Sequence, residues 1–275
     1  MKRIGIIGCG NMGAAIAERI KSKYPVTVFD KDKDKSIHLS GISVAVDSVD
    51  LAKKADTLIL AVKPQDFDAV LNEVKDRLKD KLVISIAAGI TTGYIEKILG
   101  EVKVVRVMPN ICAKIGESQT ILCKGRFAEK KDLDFAKKLF DGIGKTWLMK
   151  EEMMDSATAI AGSGPAYIYY DMEINKYDYS NFPNQVRQDY IKRLTEAAKN
   201  VGFDSQSALE LAENTTLSSL KLTAFSGSPP SELRRQVTSP GGTTEVAIKI
   251  LMQGGSWAEA ALAAKKRAEE LSKKE

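Results

Sequence analysis

The run Gly8-Cys9-Gly10-Asn11-Met12-Gly13 constrains this chain more than any other stretch. It is a G-x-G-x-x-G turn preceded by an apolar segment, Arg3 to Ile7, and followed by a helical pattern through about Lys23. In a strand–turn–helix setting the three glycines have separate duties. Gly8 permits the tight turn, Gly10 lets backbone approach a pyrophosphate, and Gly13 lets the helix pack closely on the strand. A second apolar run, Val26 to Phe29, ends in Asp30, about 20 residues past the middle glycine, where dinucleotide-binding folds place an acidic residue. The spacing predicts a dinucleotide site that includes Gly8 to Gly13 and Asp30.

Asp30 would accept hydrogen bonds from the adenosine ribose of NAD and repel the 2′-phosphate of NADP. Lys31 and Lys33 follow at once and could neutralise that phosphate. Asp30 tips the reading slightly toward NADH, and NADPH stays open. The rest of the run Asp30 to Lys35 reads as a solvated charged turn.

Residues 1–150 continue to alternate strand and helix. Apolar runs at Thr57–Val62, Leu82–Ala87, Val102–Met108 and Gln119–Cys123 read as strands, and Lys145–Met149 as the last of the region. Between them, Phe67, Val70, Leu71, Val74 and Leu78 share a helix face, Thr91 opens a short helix that Gly100 closes, and Leu133, Ala136, Leu139 and Phe140 mark another. Such alternation predicts an α/β fold, a Rossmann-type doubly wound parallel sheet with helices on both faces. Ligands in that architecture bind beyond the carboxyl ends of strands, which directs attention to Ala61-Val62-Lys63-Pro64, Ala87-Ala88-Gly89 and Met108-Pro109-Asn110.

After about Glu151 the pattern becomes helix after helix, so 151–275 is expected to form a second, all-helical domain. Met153, Met154, Ala157, Ile160 and Ala161 form one apolar face, and Gly162-Ser163-Gly164-Pro165 interrupts it. The small Gly162 and Gly164 read as positions of close helix packing. Ser256-Trp257-Ala258-Glu259 is a capping-box pattern for the final helix. The basic run Ala264 to Glu270 reads as that helix's wet face.

No apolar run approaches the roughly 20 residues of a membrane helix, and the glycine turn occupies the place of a signal peptide. Cys9, Cys112 and Cys123 show neither metal-ligand spacing nor a disulfide framework, which points to a reducing, cytoplasmic setting. The net charge of +5 is spread among alternating signs. Without an aromatic-interleaved basic patch, neither nucleic acid nor a membrane is an expected partner. The single histidine, His38, sits in a polar segment, so histidine triads and histidine metal sites drop out, and no metal is expected.

What remains is hydride transfer, in which the cofactor carries the chemistry and the protein orients the substrate. Near the C-terminus, Ser239-Pro240-Gly241-Gly242-Thr243-Thr244 precedes an amphipathic run that ends at Gly254-Gly255. Two bare glycine amides and two hydroxyls at a helix N-terminus would suit a small carboxylate. A ketone usually needs a strong proton donor, whereas an imine that arrives protonated does not. Amides and hydroxyls therefore suit a cyclic imino acid.

Taken in order, Ile6 to Gly13, Ala61 to Pro64, Ser85 to Gly89, Met108 to Asn110, Gly162 to Tyr167 and Ser239 to Thr244 resemble pyrroline-5-carboxylate reductase. The resemblance spans nearly the whole chain, and its last motif is the most specific. It implies a Rossmann domain followed by a helical dimerisation domain, a homo-oligomer with active sites shared between protomers, and NADP or NAD as hydride donor. The implied reaction reduces Δ1-pyrroline-5-carboxylate to L-proline, the last step of proline biosynthesis. By position, Gly8, Cys9, Gly10, Asn11, Met12 and Gly13 would hold the pyrophosphate. Asp30, Lys31 and Ser48 would stand near the adenosine ribose, and Ala61, Val62, Lys63, Pro64, Ala87, Ala88 and Gly89 would line the nicotinamide side. Ser239, Gly241, Gly242 and Thr243 would hold the substrate carboxylate. Thr244 would bond the ring nitrogen as the catalytic group.

The chain departs from the family pattern twice. Between Tyr167 and Gly202 it is longer, and Asp171 to Asn184, with Tyr177, Tyr179, Phe182 and Pro183, breaks one long helix and starts another near Pro183. Ser228-Pro229-Pro230 replaces a sequence that usually carries a charged group. Two other readings compete. A 3-hydroxyacid dehydrogenase of the same build would place a lysine and an asparagine where Ile168 and Met172 stand. A nucleotide-binding sensor without turnover would account for the extra segment.

Overall fold

Three strands, β1 (Ile4–Ile7), β4 (Thr57–Leu60) and β5 (Leu82–Ser85), are buried at every position. Near-continuous Ile, Leu and Val is what a strand covered on both faces requires. In the computed structural model, which describes residues 1–177 and 182–272, these strands form the middle of an eight-stranded sheet. The order is β3-β2-β1-β4-β5-β6-β7-β8, with β2 (Val26–Phe29), β3 (Ser43–Val44), β6 (Lys103–Met108), β7 (Ser118–Lys124) and β8 (Gly144–Leu148) completing it. Ile6 pairs with Val28 on one side and Ile59 on the other, so the winding reverses between β1 and β4.

The sheet is parallel from β3 through β6 and turns antiparallel at β7, where Val107 faces Leu122. The alternation predicted parallel strands throughout. The link between β6 and β7 holds only a 3-10 turn, Ile111–Ile115, and a parallel return needs a longer crossover.

Around the sheet lie α1 (Asn11–Ile20), α2 (Asp34–Ile37), α3 (Ser48–Lys54), α4 (Phe67–Val74), α5 (Thr92–Leu99) and α6 (Lys130–Phe140). Local chemistry fixes their ends. The Thr91 hydroxyl accepts from Tyr94 N–H at 3.0 Å and opens α5, while Gly100 closes it at φ +78°. The Lys81 ammonium gathers the Ala52 and Ala55 carbonyls at 2.5 and 2.7 Å and so caps α3. Phe67, Leu71, Val74 and Leu78 pack with Leu58, Leu60 and Val83 in the core.

The chain divides into two compact units. The first is Met1–Met108 with Thr120–Glu151; the second takes Pro109–Gln119 and the described residues from Glu152 onward. A single boundary near 150 therefore misses the 109–119 segment. Asn110 explains its allegiance, because its side-chain amide donates to the Ala161 carbonyl at 3.0 Å.

The second unit contains α7 (Met154–Ala157), a π-helical turn (Thr158–Gly162), α8 (Gly164–Asn175), α9 (Asn184–Asn200), α10 (Ser205–Ser226), α11 (Pro230–Val237), α12 (Thr243–Met252) and α13 (Trp257–Ser272). The helix break expected within Asp171–Asn184 is present: Lys176 ends α8 at φ +53° and Pro183 precedes α9. Tyr179, part of the same expectation, lies outside the described residues. Gly164 faces Leu194 and Asp171 faces Tyr190, so α8 and α9 run antiparallel. The buried Asp171 carboxylate accepts from Tyr190 Oη at 2.8 Å, Arg193 at 2.9 Å and Asn175 at 3.1 Å. Arg193 also lies 4.1 Å from the centre of the Trp257 ring. The Ser256–Glu259 capping box forms as expected, with Ser256 N–H donating to Glu259 at 2.7 Å and Glu259 N–H donating to Ser256 Oγ at 3.2 Å.

Candidate active site

Gly8 follows β1 and Ala61 follows β4, the two strands at the reversal of winding. Gly8 has φ +102°, and a Cβ there would lie 2.6 Å from the Ala61 carbonyl oxygen. A Cβ on Gly13 would lie 1.9 Å from the Gly8 carbonyl oxygen. Both glycines answer to backbone contact. Gly10 differs, since its Cβ would meet nothing within 4 Å. It borders a cavity of about 320 Å³, with Gly8, Asp30, Lys31, Ala61, Val62 and Lys63 among the lining residues.

No side chain caps α1, which begins at Asn11. The first-turn N–H groups of Asn11, Met12 and Gly13 thus lack intrahelical acceptors and attract an anion. The open space at Gly10, this helix terminus and the cavity fit the pyrophosphate and neighbouring sugar of a nicotinamide dinucleotide.

Asp30 has a structural duty as well. Its Oδ2 accepts from Cys9 N–H at 2.7 Å, and its Oδ1 accepts from Asp32 N–H at 2.9 Å. Each carboxylate oxygen has a second lone pair, so a ribose hydroxyl can still be bound. Lys31 is tied to Asp66 at 2.7 Å on the cavity rim, and Lys35 also lines it. Burial, reinforced by Asp30, pushes the Cys9 thiol up to about 12.

Other expected contacts are not among the residues lining this cavity. Ser48 is buried and donates to Glu73 at 2.6 Å, outside the cavity lining. Ala87, Ala88 and Gly89 follow β5 without bordering the cavity, and Gly89 takes φ +73°. Pro64 begins a 3-10 turn beside it.

In the second unit, the Ser239–Thr244 segment leads into α12, but the glycine amides are not bare. Gly241 N–H donates to Glu245 Oε2 at 3.0 Å, and Gly242 N–H donates to the Ser239 carbonyl at 3.0 Å. This corrects the expectation from sequence: the segment folds back on itself and uses those donors internally. A Cβ on Gly242 would stand 2.4 Å from Ser239 Oγ, so the serine side chain covers that glycine. No side chain caps α12, which leaves the first-turn N–H groups of Thr243, Thr244 and Glu245 as the anion-attracting donors. Arg267, read from sequence as part of a wet helix face, donates to the Gly241 carbonyl at 2.9 Å and adds positive charge beside the loop.

Ser163 joins this segment although it was not among the site residues expected from the sequence. It follows the π-helical turn and is fully buried. Its Oγ lies 3.1 Å from Thr243 Oγ1 and 3.0 Å from Thr244 Oγ1, so three hydroxyls meet at the start of α12. A π turn in mid-helix is a frequent mark of a functional site, but it shows only in the folded chain. Ile168 and Met172 are buried apolar side chains, which supply no amine or amide for the chemistry of a 3-hydroxyacid dehydrogenase. His38 is exposed, in the first unit.

Residues 3–89 match a family model described as NADP oxidoreductase coenzyme F420-dependent, and residues 189–271 match pyrroline-5-carboxylate reductase dimerisation. Pyrroline-5-carboxylate reductase from Methanosarcina acetivorans is 35% identical, over 99% of this chain and 99% of its own. The chain belongs to the pyrroline-5-carboxylate reductase family. Pyrroline-5-carboxylate reductase 2 of Bacillus subtilis is 33% identical over 91% of this chain and 87% of its own. Among solved structures, a pyrroline-5-carboxylate reductase from Coxiella burnetii is 32% identical with TM-score 0.65, covering 99% of both chains. A Plasmodium falciparum pyrroline carboxylate reductase with NADP bound is 28% identical with TM-score 0.65, covering 98% of both. The family's dimerisation segment in this chain runs from within α9 to near the end of α13. Among the described residues, no helix is long and apolar enough to cross a membrane.

Proposed function

We propose that this protein reduces Δ1-pyrroline-5-carboxylate to L-proline with NADPH or NADH. When bound, the reduced nicotinamide supplies a hydride to the imine carbon. The chain's own residues have three tasks. The α1 terminus and Gly10 hold the pyrophosphate, while Asp30 and Lys31 meet the adenosine ribose. The first-turn N–H groups of α12, with Ser239 and Arg267 beside them, hold the substrate carboxylate. Thr244 bonds the ring nitrogen, which keeps its proton and leaves as a secondary amine.

The observation that carries the substrate class is the cluster of three hydroxyls at an uncapped helix terminus. A site that offers only hydroxyls to the reacting bond has no strong acid for a ketone, but it suffices for a C=N bond that arrives protonated. We further infer a homo-oligomer built on the helical unit. The three cysteines are buried and free, which suits a reducing compartment such as the cytoplasm.

The test is direct. Purified protein supplied with Δ1-pyrroline-5-carboxylate should oxidise NADPH or NADH and form proline in equal amount. Cofactor binding with no turnover of that imine would refute the reading and favour the sensor hypothesis. Comparing both nucleotides in one assay would set the preference that Asp30 and Lys31 leave open.

A further inference from the structure

The hydroxyl cluster supports a step beyond the activity itself. Ser163 is fully buried, and its Oγ is within hydrogen-bond reach of both Thr243 Oγ1 and Thr244 Oγ1. A hydroxyl has one proton to give and two lone pairs, so Ser163 donates to at most one of the two threonines and accepts from at least one. Thr244 has the same arithmetic. If it donates to Ser163, its remaining lone pair is available to a donor at the helix terminus. If it accepts from Ser163, its proton is available instead. A protonated ring nitrogen carries an N–H and needs an acceptor.

We propose that Ser163 is the positioning residue for Thr244. Its Oγ accepts a hydrogen bond from the Thr244 hydroxyl and donates its own to Thr243, so Thr244 presents a lone pair to the N–H of the protonated imine. The π turn supports this role. Ser163 N–H bonds to the Thr158 carbonyl at 2.9 Å, one residue wider than an α-helical bond, and the following residue, Gly164, begins α8. Asn110 grips the same turn through the Ala161 carbonyl at 3.0 Å, and Tyr167 Oη does so through the Ala159 carbonyl at 2.9 Å. The turn that leads into Ser163 is thus held from several sides, which fixes the place from which its hydroxyl reaches the threonines.

The inference rests on the proposed reaction, and a double-mutant cycle separates the two. Ser163→Ala should lower kcat about 10-fold, the effect expected from losing one buried hydrogen bond, while the dissociation constant for NADPH stays within about twofold. In a Thr244→Ala background the same Ser163→Ala change should have little further effect on kcat, because its route to the ring nitrogen is gone. The pH profile gives a second readout. With Ser163 absent, the Thr244 hydroxyl is free to rotate and donate to an unprotonated imine, so the variant's deficit should shrink as pH rises. A structural defect would instead lower activity equally at every pH.

If Ser163→Ala does not fold, Ser163→Cys, which keeps the branching and replaces oxygen with a slightly larger, weakly accepting sulfur, carries the same cycle. Additive losses in the double variant, or a deficit independent of pH, would overturn the assignment of Ser163 while leaving the reductase reading intact. Absence of proline formation by the wild-type protein would instead fail the reading beneath it.

Discussion

Replacing each of two glycines in the same turn by alanine should separate binding from folding. At Gly13 the new Cβ would stand 1.9 Å from the Gly8 carbonyl oxygen and 3.2 Å from the Ala61 Cβ. Backbone cannot swing aside as a long side chain can, so α1 must move off the sheet. Overpacking of this kind costs about 3 kcal/mol, equivalent to a fall in melting temperature of about 6–12 °C for a chain of this size. At Gly10 the added methyl meets nothing within 4 Å, and the residue already has φ −66° and ψ −171°, which alanine adopts freely. Reduced unfolded-state entropy favours alanine there by about 0.4–1 kcal/mol, and its poorer fit as an N-cap opposes this by a similar amount. Stability should therefore stay within about 1 kcal/mol of wild type. The methyl would, however, enter the space where a pyrophosphate must approach. Displacing one charge-assisted hydrogen bond costs about 1.5–3 kcal/mol, so the dissociation constant should rise about 10- to 150-fold. Thermal melting and titration of NADPH against intrinsic fluorescence would measure both quantities. The reasoning fails if Gly10→Ala binds normally, or if Gly13→Ala melts with wild type.

Two further predictions follow from proton equilibria. The Cys9 thiol, raised to about 12 by burial and Asp30, should resist alkylation at pH 8 in the folded protein and react readily once unfolded. Because the folded value exceeds the usual 8.5 or so, its contribution to stability is complete below about pH 8.5 and declines toward pH 12. Rapid modification of folded protein at pH 8 would contradict this. Asp56 behaves in the opposite sense: the Arg3 guanidinium and then the Arg3 N–H hold its carboxyl down to about 2. The stability it contributes is present above about pH 4, the ordinary aspartate range, and is lost as pH falls toward 2. Asp56→Asn should flatten the acid branch of the stability curve between pH 5 and 2, and an unchanged slope would refute the assignment.

The parts of this molecule that were legible in its sequence are those governed by neighbours along the chain. The glycine turn, the Thr91 cap, the Gly100 stop and the Ser256–Glu259 box each depend on residues a few positions apart, and each stands where local chemistry demands it. Periodicity located β7 but carried no sign of its direction, which depends on the length of the preceding link. The Gly241 and Gly242 amides are the exception among local features: their acceptors, Glu245 and Ser239, lie four and three residues away, but a glycine pair can curl in several ways and carries no mark of this one. Ser163 stayed hidden because its contacts are distant in sequence. Its partners Thr243 and Thr244 are 80 and 81 residues away, and glycines on either side made packing the simpler reading. Arg267 likewise belongs by spacing to an exposed face, yet its guanidinium reaches a loop 26 residues earlier.

A crystal structure of the protein with NADP+ and proline would decide whether the substrate sits at the start of α12. The proline carboxylate should accept from the first-turn N–H groups of Thr243 and Thr244, with the ring nitrogen within hydrogen-bond distance of Thr244 Oγ1. Proline bound away from the start of α12, or with its carboxylate held elsewhere and Thr244 still bonded only to Ser163, would contradict that placement.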